Sequence, residues 1–299
     1  MDDSNYRIGI DVGGTFTDIV AVSDKGTVIF SKAPSTPADP SIGVMDAIAR
    51  LSYELRTESA VLLSKTERIV HGTTVATNAL LERKGAKTGL LTTIGHRDVL
   101  EMREGLKDDR YNMRLAAPET LVPRYLRLGV KERIRPDGSI HLPLDNDSLD
   151  AAIEKLKEAD VTSIAVCYLH AYKESKHEKE TRARIESKLP GVSVSLSSEV
   201  FPEIKEYERV STTVVNAYVR PVVEKYLRKL GDRLRETGYQ GPVLIILSHG
   251  GVAPIDEAVR LAAGTVLSGP AGGVAGSRYG SSLIGAENLV PFDMGGTST

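Results

Sequence analysis

Apolar and polar residues alternate from Arg7 to Val22, and the alternation breaks at Gly13-Gly14, so the pattern predicts two strands joined by a glycine turn. Thr27 to Ala33 continues the strand pattern until Pro34, Pro37 and Pro40 interrupt it. From Ile42 to Leu55 the period changes to that of a helix, with Ile42, Met45, Ile48 and Ala49 on one face. A short extended stretch at Arg68 to Gly72 leads into a helix over Thr73 to Lys84, and Gly85 suits its C-cap. Thr88 to Thr93 is an apolar strand. Strands alternating with helices predict an α/β layer architecture.

From Arg97 to Leu144 charged residues and four prolines replace the periodic pattern, and the stretch is expected as an inserted segment. Asp147 to Glu158 and His177 to Leu189 then read as helices, and Val161 to Leu169 and Val192 to Leu196 as strands. A long helix is expected over Ile204 to Glu236, with a bend near Pro221. Val243 to Leu247 is an apolar strand ending at Ser248-His249-Gly250-Gly251. Ser268 to Gly280 suits a close-packed helix, and Asn288 to Phe292 is expected as a last strand.

The chain has 299 residues, 41% of them hydrophobic and 26% charged, with a formal net charge of −2. That balance supplies no basic field for nucleic acid or anionic lipid. No apolar run reaches the roughly 20 residues that span a bilayer. The acidic N-terminus does not read as a signal peptide, so a cytoplasmic protein is expected. Cys167 is the only cysteine and sits in an apolar strand, as a small buried hydrophobe would.

The candidate chemistry lies in an internal echo. Asp11-Val12-Gly13-Gly14-Thr15-Phe16-Thr17-Asp18 and Asp293-Met294-Gly295-Gly296-Thr297-Ser298-Thr299 both follow an apolar run, and both place Asp, one apolar residue, Gly-Gly and hydroxyl residues in order. Paired glycines let the backbone approach an anion with no Cβ in the way. Successive N–H groups can converge on phosphate oxygens. The hydroxyls of Thr15, Thr17, Thr297 and Ser298 can add hydrogen bonds. Asp11 and Asp293 can hold Mg²⁺ or orient the attacking group. No Gly-Lys-Ser/Thr follows either turn, so this is not a Walker loop. Elsewhere, His71-Gly72-Thr73-Thr74 sits where a strand enters a helix, and Thr73 and Thr74 are candidate substrate contacts. His71 and His249 are candidate proton carriers.

The two turns resemble the phosphate motifs of the actin and sugar-kinase superfamily. The stretches His71 to Thr93, Leu121 to Arg127, Ser195 to Pro221 and Leu267 to Gly276 are similar to the hydantoinase A and 5-oxoprolinase family. The resemblance covers nearly the whole chain. It implies a duplicated ribonuclease-H-like nucleotide fold that is incomplete at the C-terminus. It divides the chain into an N-terminal region, 1–195, with an inserted segment near 97–144, and the start of a hydantoinase A region, 196–299. It implies ATP and Mg²⁺, and phosphorylation of a small carbonyl substrate. A second, hydantoinase B-type subunit or domain would finish the reaction. Hydrolysis of a cyclic amide such as a hydantoin or 5-oxoproline leads. An ATP-dependent ketone carboxylase subunit, for acetone or acetophenone, stays open, as does a reactivating ATPase of the same superfamily. Adenine contacts are expected beyond Thr299.

Overall fold

The computed structural model describes residues 4–105, 109, 111–116 and 119–292. The expected second turn, with Asp293, Gly295, Gly296, Thr297 and Ser298, lies outside the described residues. The chain forms two compact units, one of Met1–Lys84 with Val222–Thr299 and one of Gly85–Pro221.

Along the chain, the first unit opens with β1 (Tyr6–Val12), β2 (Phe16–Ser23), β3 (Val28–Pro34), α1 (Pro40–Glu54), α2 (Ser59–Ser64), β4 (Thr66–Thr73) and α3 (Val75–Leu81). The second unit supplies β5 (Thr88–Thr93), α4 (Val99–Met102), β6 (Arg127–Val130), β7 (Arg133–Ile134), β8 (Ile140–Leu142), α5 (Asn146–Glu158), β9 (Ser163–Cys167), α6 (Lys176–Lys188), β10 (Ser193–Leu196) and α7 (Ser197–Val200). Helix α8 (Glu206–Glu236) runs on through Pro221, where the chain passes back to the first unit. That unit then closes with β11 (Val243–Ile246), β12 (Val252–Pro254), α9 (Ile255–Arg260) and α10 (Ser268–Ile284).

The first unit is built on a six-stranded sheet in the order β12-β11-β4-β1-β2-β3. β1 lies antiparallel to β2 and parallel to β4, and β11 is parallel to β4. An antiparallel three-strand meander continued by two parallel strands is the ribonuclease-H-like arrangement of the actin and sugar-kinase superfamily. The alternation read from the sequence sets the faces: Tyr6, Ile8, Ile10 and Val12 are buried, while Arg7 and Asp11 are exposed. Helix α1 buries Val44, Ala47, Ile48 and Leu51, a stripe at helical spacing. Its start is fixed by Asp39, whose carboxylate accepts from the Ser41 N–H, and by Pro40 in the first turn. Lys229 and Arg233 of α8 reach the same carboxylate at 3.0 and 3.1 Å. Burial alone would raise the Asp39 pKa, but the Ser41 and Lys229 hydrogen bonds and the two cations outweigh it and hold the group below its ordinary value.

The second unit has a four-stranded sheet, β10-β9-β5-β6, with every neighbouring pair parallel. β5 and β9 are buried at every position, as central parallel strands are. The stretch expected as an insertion near 97–144 builds an edge of this sheet through β6 and adds the β7–β8 hairpin, so it belongs to the second unit's own core. The expected boundary at 195/196 falls inside that unit, because β10 pairs with β9. Cys167 is buried, and burial raises its thiol pKa. Asn288 to Phe292, expected as a strand, has no strand structure. An apolar run becomes a strand only with a partner to complete its ladder of hydrogen bonds. Among the described residues no helix is long and apolar enough to cross a membrane.

Candidate functional site

The turn between β1 and β2 is the centre of the first unit's chemistry. The Gly13 N–H donates to the Phe16 carbonyl at 3.0 Å and closes the hairpin. Ser35 braces it from the end of β3. Its hydroxyl donates to the Gly13 carbonyl at 2.8 Å, and its N–H donates to the Thr15 carbonyl at 2.9 Å. Thr17 is buried, with its Oγ1 3.2 Å from the Ser35 Oγ, so its hydroxyl belongs to this brace. Gly14 and Thr15 are exposed at the apex. A fixed turn with open backbone at its tip is what an anion nest requires.

Two cavities lie near the strand ends, and only the second is lined by the turn itself. One, of about 690 Å³, is lined by Asp11 and Gly72 at the strand ends and by Gly269, Gly272 and Gly273 of α10. The glycines keep this space open. A Cβ at Gly72 would come within 3.0 Å of the Asp11 Oδ1, and one at Gly272 within 3.3 Å of the Ile246 Cδ1. Helix α10 is anchored there by Ser268, whose hydroxyl donates to the Thr73 carbonyl at 2.9 Å. The Leu267 N–H also donates to the Thr77 Oγ1 at 2.9 Å. The other cavity, of about 390 Å³, is lined by Gly13, Gly14, Thr74, Asn78, Lys225 and Tyr226, among others.

Strand register decides what the His71 to Thr74 stretch contributes. Asp11 pairs with Gly72, and Ile10 pairs with His71, so Gly72 shares the Asp11 face while His71 points into the buried one. His71 is fully buried. Burial lowers its pKa to about 4, with the Ile10 carbonyl pulling weakly the other way. The imidazole is therefore neutral near pH 7, and its Nε2 is hydrogen-bonded to the Tyr226 hydroxyl at 2.7 Å. Its Nδ1 is buried without a well-formed hydrogen bond. Burial raises the Tyr226 pKa, and a hydrogen bond with Thr73 offsets part of that. Thr73 is buried, and Thr74 is half-buried. Thr74 donates both its N–H and its hydroxyl to the Val12 carbonyl, at 3.2 and 3.1 Å, and its Oγ1 accepts from Asn78 at 3.3 Å. His249 lies exposed on the β11–β12 hairpin, its Nδ1 accepting from the Gly251 N–H at 3.2 Å, and it lines neither cavity.

The structure thus puts Asp11 on one cavity and Gly13, Gly14 and Thr74 on the other, with Thr15 exposed at the turn's apex. It puts His71, Thr73 and Thr17 in the support beneath them, and His249 elsewhere. Sequence reasoning missed Tyr226 and Lys225. The available signal was Lys225 and Lys229, four residues apart on the long helix. In the second unit, buried Glu132 links the Thr93 hydroxyl and the His177 Nδ1, the latter at 2.8 Å, as a cross-brace between β5 and α6. Among the described residues, no group of three or more His, Cys, Asp or Glu could hold a metal ion.

Residues 7–189 match the family described as the hydantoinase/oxoprolinase N-terminal region, and residues 209–299 match that described as hydantoinase/oxoprolinase. The chain is 39% identical over 300 aligned positions to the caprolactamase subunit alpha of Pseudomonas jessenii, covering all of this chain and 43% of that one. It is 36% identical to the acetophenone carboxylase gamma subunit of Aromatoleum aromaticum, covering 99% and 42%. Among solved structures, nucleotide-free acetone carboxylase matches with a TM-score of 0.86 at 29% identity, covering 94% of this chain and 41% of that one. The ATP-dependent caprolactamase of Pseudomonas jessenii matches with a TM-score of 0.85 at 38% identity, covering 98% and 42%. The chain spans about two-fifths of the length of these relatives.

Proposed function

The chain belongs to the hydantoinase/oxoprolinase family, and from that premise we propose that it is the part of an enzyme that uses ATP to phosphorylate the carbonyl oxygen of a small substrate. The observation that carries the reading is the braced Gly13-Gly14 turn, with Asp11 two residues before it and lining a glycine-walled cavity. The exposed backbone of Gly14 and Thr15 takes phosphate oxygens, and the Thr15 hydroxyl adds a donor. The donor set suits Mg²⁺ that arrives with the nucleotide: Asp11 and Asp18, paired across β1 and β2, line one open space, and Lys32 balances Asp18. When bound, the ion would neutralise charge on the phosphate oxygens. Asp11 would hold it there, with Asp293 as the proposed counterpart in the second turn. Gly295, Gly296, Thr297 and Ser298 are proposed to take the remaining phosphate contacts.

The chemical gain is specific. An amide carbon is a poor electrophile. Attack of the amide oxygen on the terminal phosphorus breaks the bond to ADP and leaves an O-phosphoryl imidate; water adds to its carbon, the C–N bond breaks with the ring nitrogen leaving as the protonated amine, and a second water hydrolyses the resulting acyl phosphate to carboxylate and phosphate. The same activation of a ketone enolate would prepare it for carboxylation. The caprolactamase likeness, at 39% identity, favours the cyclic amide. A further subunit or domain completing the hydrolysis is proposed on the subunit names of the relatives. His71 serves as a positioning residue that acts through Tyr226.

The test uses the full-length protein with its partner subunit and measures ADP release with caprolactam, hydantoin, 5-oxoproline, acetone and acetophenone in turn. Stimulation by a cyclic amide, lost in Asp11→Asn with the fold intact by circular dichroism, is expected. Stimulation by ketones alone would move the reading to a carboxylase. ATP turnover indifferent to every small carbonyl would sink it and point to an ATPase acting on a protein.

A further inference from the structure

The parallel sheet of the second unit has strand ends that the phosphoryl-transfer reading leaves unused. From β5 the chain goes to β6 on one side and then returns to place β9 on the other, so the direction of winding switches between β5 and β9. Open α/β sheets receive ligands outside the carboxyl ends of their strands, at such a point. Here the protein's own side chains close it. The buried Thr93 hydroxyl accepts from the Leu169 N–H at 2.9 Å and bonds Glu132, which holds His177. Buried Glu178 fills the next place along, beyond β9 and β10, accepting from the Tyr168 N–H at 3.0 Å and the Ser197 hydroxyl at 2.6 Å. That leaves the ends of β5 and β6, where a cavity of about 540 Å³ is bounded on its far side by α5.

The wall of this cavity carries four cations, Arg97, Arg124, Lys131 and Lys155, and one carboxylate, Asp98. Arg124 forks onto Asp98 at 2.9 and 3.0 Å, and Arg97 and buried Arg127 each lie 3.9 Å from it. Glu101 takes up Arg127 at 2.9 Å, which leaves the single Asp98 charge to Arg124 and Arg97. Among the described residues, Lys131 and Lys155 make no ion pair within 4.0 Å. The Asp145 carboxylate feels Lys131 through space, but it is committed as the cap of α5, accepting from the Ser148 N–H at 2.7 Å. The backbone under both lysines is fixed. The Lys131 N–H donates to the Ser148 Oγ at 3.0 Å and its carbonyl accepts from the Asp145 N–H at 2.9 Å. Lys155 stands one turn beyond Ala151 and Ala152 on the α5 face that lines the space. Positive charge is thus concentrated in one concavity of a chain whose formal net charge is −2. A concave site of this size suits a small molecule.

We propose that this cavity is a ligand site of the second unit's own, and that it binds a small anion with two or more negative charges on phosphate or carboxylate oxygens. Two charges are what Lys131 and Lys155 leave uncompensated, and Arg97 adds a third donor group to the same wall. The site takes no part in the phosphoryl-transfer reading above and stands or falls without it. Each lysine meets its ligand at a solvent-accessible rim, so the gain per ion pair is about fivefold in affinity and weakens with salt.

The test is calorimetry on the full-length protein with two probes, inorganic pyrophosphate and citrate, which present phosphate and carboxylate oxygens separately. All titrations use a Gly14→Val background, so that an anion held at the glycine turn of the first unit does not mask the site. Lys131→Gln and Lys155→Gln should each weaken binding about fivefold, and the two together about 25-fold. Both side chains are exposed, so the fold should survive, as circular dichroism would check. Lys157→Gln is the control: it removes the same charge two residues further along α5, from a lysine that pairs with Glu154 at 3.2 Å and lies off the cavity. It should leave both probes unaffected. Binding of pyrophosphate alone would uphold the site and assign it to phosphate, and binding of citrate alone would uphold it and assign it to carboxylates. Lys157→Gln as damaging as Lys155→Gln would overturn the inference, by reducing it to diffuse surface charge. So would a Lys131→Gln, Lys155→Gln protein that binds as the background does. Binding of neither probe would overturn it too, and would give the basic wall to an acidic segment of a partner protein.

Discussion

Buried His71 makes the first unit sensitive to acid in a way that can be calculated. In the folded chain its pKa is lowered to about 4, while an unfolded chain keeps the ordinary value of 6.5. Between those values the unfolded state binds more protons, so stability falls as pH falls. The contribution is fully present above pH 6.5 and is lost as pH drops through the folded pKa of about 4. Linkage between these two values gives a loss of about 2 kcal/mol from pH 7 to pH 4.5, which is a large part of a typical domain's stability. The assay is denaturant unfolding at half-unit pH steps, on the wild type and on a His71→Phe, Tyr226→Phe pair. The pair is needed because removing the imidazole alone would strand the Tyr226 hydroxyl, at a cost of about 1–3 kcal/mol. Other groups titrate in the same range. Buried Glu178, whose pKa burial raises, works in the opposite direction. The prediction is therefore the difference between the two proteins: the wild type should lose about 2 kcal/mol more than the pair over that interval. NMR of the imidazole should also show Nδ1–H as the neutral tautomer, with Nε2 accepting from Tyr226. Parallel loss of stability in both proteins, or a His71 that titrates near 6.5, would refute the reasoning.

Two further outcomes follow from the packing of the second unit. In Gly85→Ala, the new Cβ would lie 2.1 Å from the Tyr218 Cε1 atom, so the ring must move, and a loss of about 1–3 kcal/mol in denaturant unfolding is expected. Tyr218→Ala in the same chain should remove most of that penalty, and a Gly85→Ala protein as stable as wild type would contradict the close contact. Cys167 is buried with its thiol pKa raised, so it should resist thiol reagents in the native protein and react with one equivalent after unfolding. Rapid labelling of the native chain would show that the strand carrying it opens.

Local pattern made much of the fold legible. Tyr6 to Val12 alternates cleanly because one face of β1 is buried, and Thr88 to Thr93 is a strand with the bounds its composition suggests. What local pattern does not contain is pairing. β11 joins β4 only after the whole second unit has intervened, so Gly85 and Pro221, legible as a helix end and a bend, do not read as the limits of a compact unit. Tyr226 meets His71 across 155 residues, and nothing near either one announces it. Asn288 to Phe292 has the apolar content of a strand, but composition cannot provide the neighbouring edge that makes one.

The stretch from His71 to Thr74 shows where the candidate site was readable and where it was not. Motif reading selects His71 because imidazole is chemically capable. Strand parity reassigns the position. Ile69, His71 and Thr73 are one set of alternating positions, and all three are buried; Gly72 belongs to the other set and sits opposite Asp11. Parity is present in the sequence, but which set faces the cavity depends on α8 and α1 covering one side of the sheet. A motif of this kind fixes that a place matters before it fixes which atom acts. Here the residue at the cavity is the one with no side chain, since the free space beside Asp11 depends on Gly72 having no Cβ. His71 supports the site from beneath by holding Tyr226 and the wall it forms.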